Sequence, residues 1–362
     1  MTRTAQLSRV GQSIWLDNVT RDLLTSGALA HYIAELNVTG LTSNPSIYNK
    51  AIGGSAAYDD QIERLSAGGS DTQTTFFELA LDDLTKAADM FLPVYERTDH
   101  VDGFVSLEVS PLLAHDAAVT FSEARRLHAK GGRPNLFIKI PGTQAGLNAI
   151  EESIFAGVPV NVTLLFSADQ YLAAAEAYTQ AIERRVEAGL NPYVPSVASV
   201  FVSRWDAGLS ADLPAELNLQ LGLATGRQTF DAYRRLLDSD RWQRLLNEGA
   251  RPQRLLWAST GTKDPNASDV YYIEALASPL TVNTMPEETL LAFADHGNVR
   301  ATLSPGPHPD NDVILARLGA AGVDLTAFAQ RLQEQGVDSF IKAWNDLLGR
   351  IEQKAAVVAE RR

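Results

Sequence analysis

Eight short apolar or alternating runs recur along the 362-residue chain: "IWLDNV", "GLTSNP", "FVSLEVS", "LFIKIPG", "PVNVTLLFS", "SVASVFV", "RLLWAS" and "LTVNTMP". Helical segments separate nearly all of them. In "TTFFELALDDLTKAADMF", Phe77, Leu81, Leu84, Ala88 and Phe91 fall at helical spacing. Ser167 followed by Gln170 opens "SADQYLAAAEAYTQAIERRVEAG" as a capping box that Gly189 closes, and Thr20 is better placed than Asp17 to cap "RDLL". Strand and helix therefore alternate, which predicts a parallel sheet. Eight repeats predict an α/β fold of the closed (β/α)8 barrel type rather than an open doubly wound sheet.

A barrel of this kind needs about 250 residues, so roughly a third of the chain is elaboration on one domain spanning 1–362. The segment near 204–252 is too long for a single crossover and adds a helix. The segment 286–362 is a helical tail that includes "DLTAFAQRLQEQG" and "SFIKAWNDLLGRIEQKAAVVAERR". A hydrophobic content of 45% allows a sizeable core. The first residues, "MTRTAQLSRVGQSIW", lack the apolar stretch of an export signal, and nowhere do about 18 apolar residues run together, so a soluble cytoplasmic protein is expected. The absence of cysteine excludes disulfides, thiolate metal sites and a cysteine nucleophile. A net charge of −13 argues against nucleic-acid or anionic-membrane partners while leaving room for small anions bound locally. An oligomeric state does not follow from these residues.

In "LFIKIPGT" a lysine interrupts an otherwise buried strand, and burying an ammonium without a partner costs several kcal/mol. Strand side chains alternate faces. With Ile138 and Ile140 toward the helices, Lys139 points to the barrel axis; the same rule sends Glu108, Asp17, Asn161, Thr163, Ser199 and Phe201 inward, with Leu164 outward. These residues lie near the strand C-terminal ends, where barrel enzymes carry their chemistry. Each also has a structural alternative: Lys139 as an ion-pair partner of Glu108, Asn44 before Pro45 as a helix cap, Arg204 and Lys263 as surface charges. There is no histidine pair at metal-ligand spacing, no G-x-S-x-G elbow, no phosphate-binding Walker loop and no G-x-G-x-x-G fingerprint. An amine beside carboxylates suggests covalent catalysis through a Schiff base. A free lysine is neutral in only about one molecule in 2,000 at pH 7, and apolar neighbours on a buried strand push toward the neutral form.

"GLTSNPSIY", "IKIPGTQAGLNAIEE", "VNVTLLFSADQY" and "SVASVFVSRWD" together resemble the transaldolases, in particular the longer bacterial branch, and the resemblance runs through all eight strands. It implies a metal-free, cofactor-free class I transferase of the pentose phosphate pathway whose partners are small sugar phosphates. Such an enzyme moves a dihydroxyacetone unit between sedoheptulose 7-phosphate or fructose 6-phosphate and glyceraldehyde 3-phosphate or erythrose 4-phosphate. By motif, Lys139 is the Schiff-base lysine, Asp17 the general acid/base, and Glu108 with Thr163 the holders of a catalytic water. Asn44 and Asn161 bind the dihydroxyacetone hydroxyls, Ser199 and Phe201 line the pocket, and Arg204 with Ser259 binds phosphate. The family commonly places an arginine two residues after that serine; here the position is Gly261, and Lys263 is the nearest substitute. Phe201 offers an apolar ring where a tyrosine would supply a hydroxyl, which favours transfer over release. Two rivals stay open: a fructose-6-phosphate aldolase-like lyase sharing the lysine, and a non-catalytic sugar-phosphate-binding barrel.

Overall fold

The computed structural model describes residues 2–209, 217, 219–306 and 308–359. Of the two expected elaborations, residues 210–216 and 218 of the first and 307 and 360–362 of the second lie outside the described residues. The strands are β1 Gln12–Leu16, β2 Val38–Leu41, β3 Val105–Glu108, β4 Leu136–Pro141, β5 Val160–Leu165, β6 Ser196–Phe201, β7 Arg254–Ala258 and β8 Thr281–Met285. Each pairs in parallel with the next and β8 returns to β1, closing the (β/α)8 barrel expected from the alternation. All eight runs picked out by their apolar pattern become strands.

Helices start where the side chains dictate. Thr20 caps Arg21–Thr25 by accepting from the Leu23 amide, and the Ser167–Gln170 capping box forms at the head of Ala168–Glu187. The long apolar-striped segment is the helix Thr72–Arg97, which buries Phe77, Leu81, Leu84, Ala88 and Phe91. Two further helices, Leu221–Leu237 and Asp240–Asn247, stand between β6 and β7 beyond the short Ser203–Leu209. No described helix is long and apolar enough to cross a membrane.

The strand alternation sorts the side chains into two cores. Ile14, Leu16, Leu107, Val109, Ile138, Ile140, Val162 and Val200 pack outward against the helices. Trp15, Phe137, Val197, Phe201 and Leu256 belong to the inner set. The lower barrel is an aromatic plug: Phe104 stacks on Phe137 with centroids 4.3 Å apart, and Trp15 lies 6.0 Å from Phe137. Gly40 is required beside it, because a Cβ there would sit 2.6 Å from the Trp15 indole. The Trp15 Nε1–H donates to Asp102 at 2.7 Å, so the plug is satisfied as well as packed. Lys139 stands two residues above Phe137 on the same strand face, over an apolar floor.

Strand β5 departs from simple alternation. Its pairing with β6 is irregular between Val162 and Leu165, and Leu164 adopts φ 58°. Leu165 takes the helix-facing position opposite Val200, and Leu164, expected outward, joins the inner set. One extra residue in a strand reverses the faces beyond it.

The two helical motifs of the tail merge into a single helix, Leu325–Ala359, of 35 residues. At 1.5 Å per residue it is about 50 Å long. It packs against the helices Pro45–Gly54 and Thr72–Arg97, the turn Pro111–Leu113, β5 and the helix Ser203–Leu209, and so crosses the C-terminal mouth of the barrel.

Candidate active site

A cavity of about 220 Å³ opens at the C-terminal end of the strands, lined by Asp17, Asn44, Lys139, Ser199, Phe201, Arg204, Ser259 and Lys263, with Thr42, Ser339 and Phe340 among their neighbours. Four larger clefts of about 520 to 700 Å³ lie elsewhere among the described residues, and none is lined by a lysine. Chemistry, not size, therefore singles out the smaller one.

Lys139 is the one lysine among the described buried side chains. Its Nζ donates to the Ser43 carbonyl at 3.3 Å and lies 3.5 Å from Glu108 Oε2. Register sets Glu108, Lys139 and Asn161 side by side on β3, β4 and β5, each at 5% exposure or less. Burial pushes the Glu108 carboxyl up to about 7; the Lys139 charge pulls it back, and Asp17 adds to the rise. Glu108 Oε1 and the Thr163 hydroxyl have no hydrogen-bonding partner among the described residues, and Glu108 Oε2 has only the Lys139 ammonium at 3.5 Å. Orphaned polar atoms at this depth call for a small polar guest.

Asp17, at the end of β1, is half-buried, and desolvation raises its pKa despite the Lys139 charge and a hydrogen bond from Thr42. The Thr42 hydroxyl donates to Asp17 Oδ1 at 2.8 Å and lies 2.7 Å from the Thr284 hydroxyl. A hydroxyl has one proton to give, so Thr284 must donate to Thr42, and the relay fixes the carboxylate from β2 and β8.

Asn44 does cap a helix: its Oδ1 accepts from the Ile47 amide at 3.1 Å, leaving the amide nitrogen without a partner among the described residues. Asn161 is enclosed. It donates to Ser106 at 3.1 Å and accepts from Ser199 at 2.7 Å, and with Glu108 and Thr163 it stands behind the cavity lining rather than in it.

Arg204 is half-buried with its guanidinium 5.2 Å from the Phe201 ring centroid and no carboxylate within ion-pair reach among the described residues. Burial lowers its pKa from the ordinary value, so an anion would be welcome there. Ser259, held at φ 54°, shares a 2.9 Å hydrogen bond with Ser203. Lys263 is exposed and reaches the same cavity. At Gly261 a Cβ would meet only ordinary contacts, 3.5 Å to Pro286 and Thr289, so the position has room for a side chain it lacks.

Sequence reasoning did not reach Thr42, Thr284, Ser43 or Phe340. The first and third stand within "GLTSNP", beside residues already singled out, and Thr284 is an inward-facing polar residue of "LTVNTMP". Phe340 carries no local signal, because helical spacing does not reveal what a helix covers.

The Glu108 environment has a measurable signature. The folded chain holds that proton up to about pH 7 whereas an ordinary glutamate releases it near 4.5. The folded state then binds more protons in between, so stability falls as pH rises from about 4.5 to about 7 and levels off above. Glu108→Gln is expected to remove this slope. Urea midpoints of both proteins at pH 5 and pH 7.5 check it: the difference in stability between the two should change by a few kcal/mol at most, in favour of the variant at the higher pH.

The chain matches the family described as Transaldolase/Fructose-6-phosphate aldolase over residues 14–351. It is 43% identical over 358 residues to a Frankia alni protein named Transaldolase, spanning 97% of this chain and 96% of that one. It is 44% identical over 353 residues to a Mycobacterium tuberculosis protein of the same name, with 95% of each covered. A Nostoc punctiforme protein named Transaldolase 2 is 40% identical over 372 residues, with 98% of each covered.

Proposed function

The chain belongs to the transaldolase/fructose-6-phosphate aldolase family, and from that membership we propose that Lys139 carries the transferred unit as a Schiff base. It is an enzyme of the transferase class with transaldolase activity. The observation that carries the reading of the site is that the buried Lys139 amine shares one cavity with Asp17 and Arg204 and stands 3.5 Å from Glu108.

In this reading the Lys139 amine attacks the C2 carbonyl of sedoheptulose 7-phosphate or fructose 6-phosphate and water leaves the carbinolamine. Glu108 and Thr163 hold that water, a role supported by their orphaned oxygens. Asp17 takes the proton of the C4 hydroxyl as the C3–C4 bond breaks, the aldose phosphate departs, and the three-carbon enamine remains. Glyceraldehyde 3-phosphate or erythrose 4-phosphate then accepts it by the reverse steps, with Asp17 returning the proton. The Asn44 amide nitrogen, free of its capping bond, is available to the dihydroxyacetone hydroxyls. Asn161 reaches them only by giving up a contact to Ser106 or Ser199. Ser199 and Phe201 form the wall. The pathway is the pentose phosphate pathway, and the compartment the cytoplasm.

Fructose 6-phosphate supplied with and without erythrose 4-phosphate tests this. Sugar turnover should require the acceptor, and borohydride should attach a carbon adduct to Lys139; turnover without acceptor would make the enzyme a lyase, and an unmodified lysine in an active enzyme would remove the Schiff base.

Phosphate recognition falls to Arg204 and Ser259, with Lys263 replacing the side chain absent at Gly261. A charge-assisted hydrogen bond is worth about 1.5 to 3 kcal/mol, so Arg204→Ala should raise KM for phosphorylated sugars roughly tenfold or more and leave unphosphorylated ones nearly unchanged. Lys263→Ala should act in the same direction with a smaller effect, since an exposed ammonium is screened by solvent. Equal losses on both kinds of sugar would make Arg204 a structural residue.

A further inference from the structure

We propose that Phe340, on the helix that crosses the barrel mouth, is a specificity-determining residue: its ring covers the Lys139 adduct so that the enamine meets an aldehyde before it meets water. The proposal rests on the Schiff-base reading of Lys139.

Three observations place the ring there. The Lys139 Nζ lies 5.7 Å from the Phe340 ring centroid, and Phe340 is 5% exposed while lining the cavity. Its helix is buckled to the strands beneath, because the Gln333 side-chain amide donates to the Gly142 carbonyl at 3.0 Å and to the Leu164 carbonyl at 2.9 Å, at the tops of β4 and β5. Between them Gly336 lets the helix come close: a Cβ there would stand 2.9 Å from Leu164 Cδ2 and 3.6 Å from the Arg204 guanidinium. Residues 333, 336 and 340 follow one another at helical spacing and share a face. The buckle, the close approach and the ring are thus one rigid surface.

Phe201, the ring that the sequence links to the transfer outcome, lines the same cavity and lies 5.2 Å from the Arg204 guanidinium. Phe340 is the ring beside the nitrogen. A ring near a cationic nitrogen favours the ammonium and the iminium alike, and its apolar bulk keeps bulk water off the adduct, beyond the one water that Glu108 and Thr163 hold in the proposed mechanism. The competing leak requires water. The C=C pair of the enamine takes a proton from water to form a C–H bond, while the nitrogen lone pair moves into the C–N bond to leave an iminium and hydroxide. The hydroxide so formed adds at C2, the C–N bond breaks, and free dihydroxyacetone and the lysine amine result, one water being consumed in all.

The wild type, Phe340→Ala and Gln333→Ala should be given fructose 6-phosphate with erythrose 4-phosphate present, and free dihydroxyacetone and sedoheptulose 7-phosphate measured together with borohydride labelling of Lys139. Phe340→Ala should keep the label and raise the ratio of release to transfer about tenfold, a difference of about 1.4 kcal/mol between the two barriers, as water that the ring excludes reaches the enamine. Gln333→Ala, which removes the buckle and leaves the ring, should move the ratio the same way by less. A folded, labelled Phe340→Ala protein with the wild-type ratio overturns the proposal and leaves the Schiff base standing. Absence of label on the wild type overturns both. If the alanine variant does not fold, Phe340→Leu decides by the same ratio: a rise supports the proposal and no change overturns it.

Discussion

Lys139→Met is expected to reduce transfer to background, a loss on the order of 10⁶-fold, the cost of removing a covalent nucleophile. Methionine suits the test because it approximates the length of the lysine stem and is at home on a buried strand between Ile138 and Ile140. The partner left behind is also tolerable. The Lys139 charge is what holds the Glu108 carboxyl down to about 7, so without it that group is protonated at neutral pH and no lone charge is buried. The variant should therefore melt cooperatively, bind phosphorylated sugars through Arg204 and take up no borohydride adduct. A folded methionine variant that transfers at a rate comparable with wild type would remove the amine from the mechanism.

Asp17→Asn is expected to lower kcat by about two to four orders of magnitude, the usual weight of a general acid/base. The amide oxygen still accepts from Thr42, so the side chain stays where the relay from Thr284 holds it, and only the capacity to take a proton is lost. In the proposed mechanism, Schiff-base formation at C2 precedes the step that needs Asp17. Borohydride should consequently label Lys139 in this variant as in wild type, and a six-carbon adduct should accumulate over a three-carbon one. Mass spectrometry of the reduced protein distinguishes them. Wild-type turnover by Asp17→Asn would assign the proton to another group.

Much of this arrangement was legible in the sequence because a strand has a period of two. Once Ile138 and Ile140 are assigned to the helix-facing core, Lys139 has one place to go, and the same holds for Glu108 between Leu107 and Val109. The period fails at Leu164, where one bulged residue at φ 58° shifts the faces, and nothing in "NVTLLF" announces it. Contacts between distant elements were equally hidden. Gln333 and Phe340 meet β4 and β5 from nearly 200 residues away, and an amphipathic pattern tells which face of a helix is buried without telling against what. The enclosure of Asn161 by Ser106 and Ser199 is of the same kind, since it depends on three strands meeting in register.

The closure of the barrel joins the two ends of the sheet. Gln12 on β1 donates to Thr281 on β8 at 2.9 Å across 269 residues of chain, and contacts of such separation are slow to find. The row Glu108, Lys139 and Asn161 belongs to three consecutive strands and needs no such search. Asp17 does need it, because the backbone amide of Asp17 donates to Met285 and its carboxylate is steadied through Thr42 by Thr284, all at the seam where the ends of the sheet join. A chain with an unjoined seam would hold the row Glu108, Lys139 and Asn161 without the hydrogen bonds that steady Asp17, so in the proposed mechanism the amine would stand without its acid/base until the barrel closes.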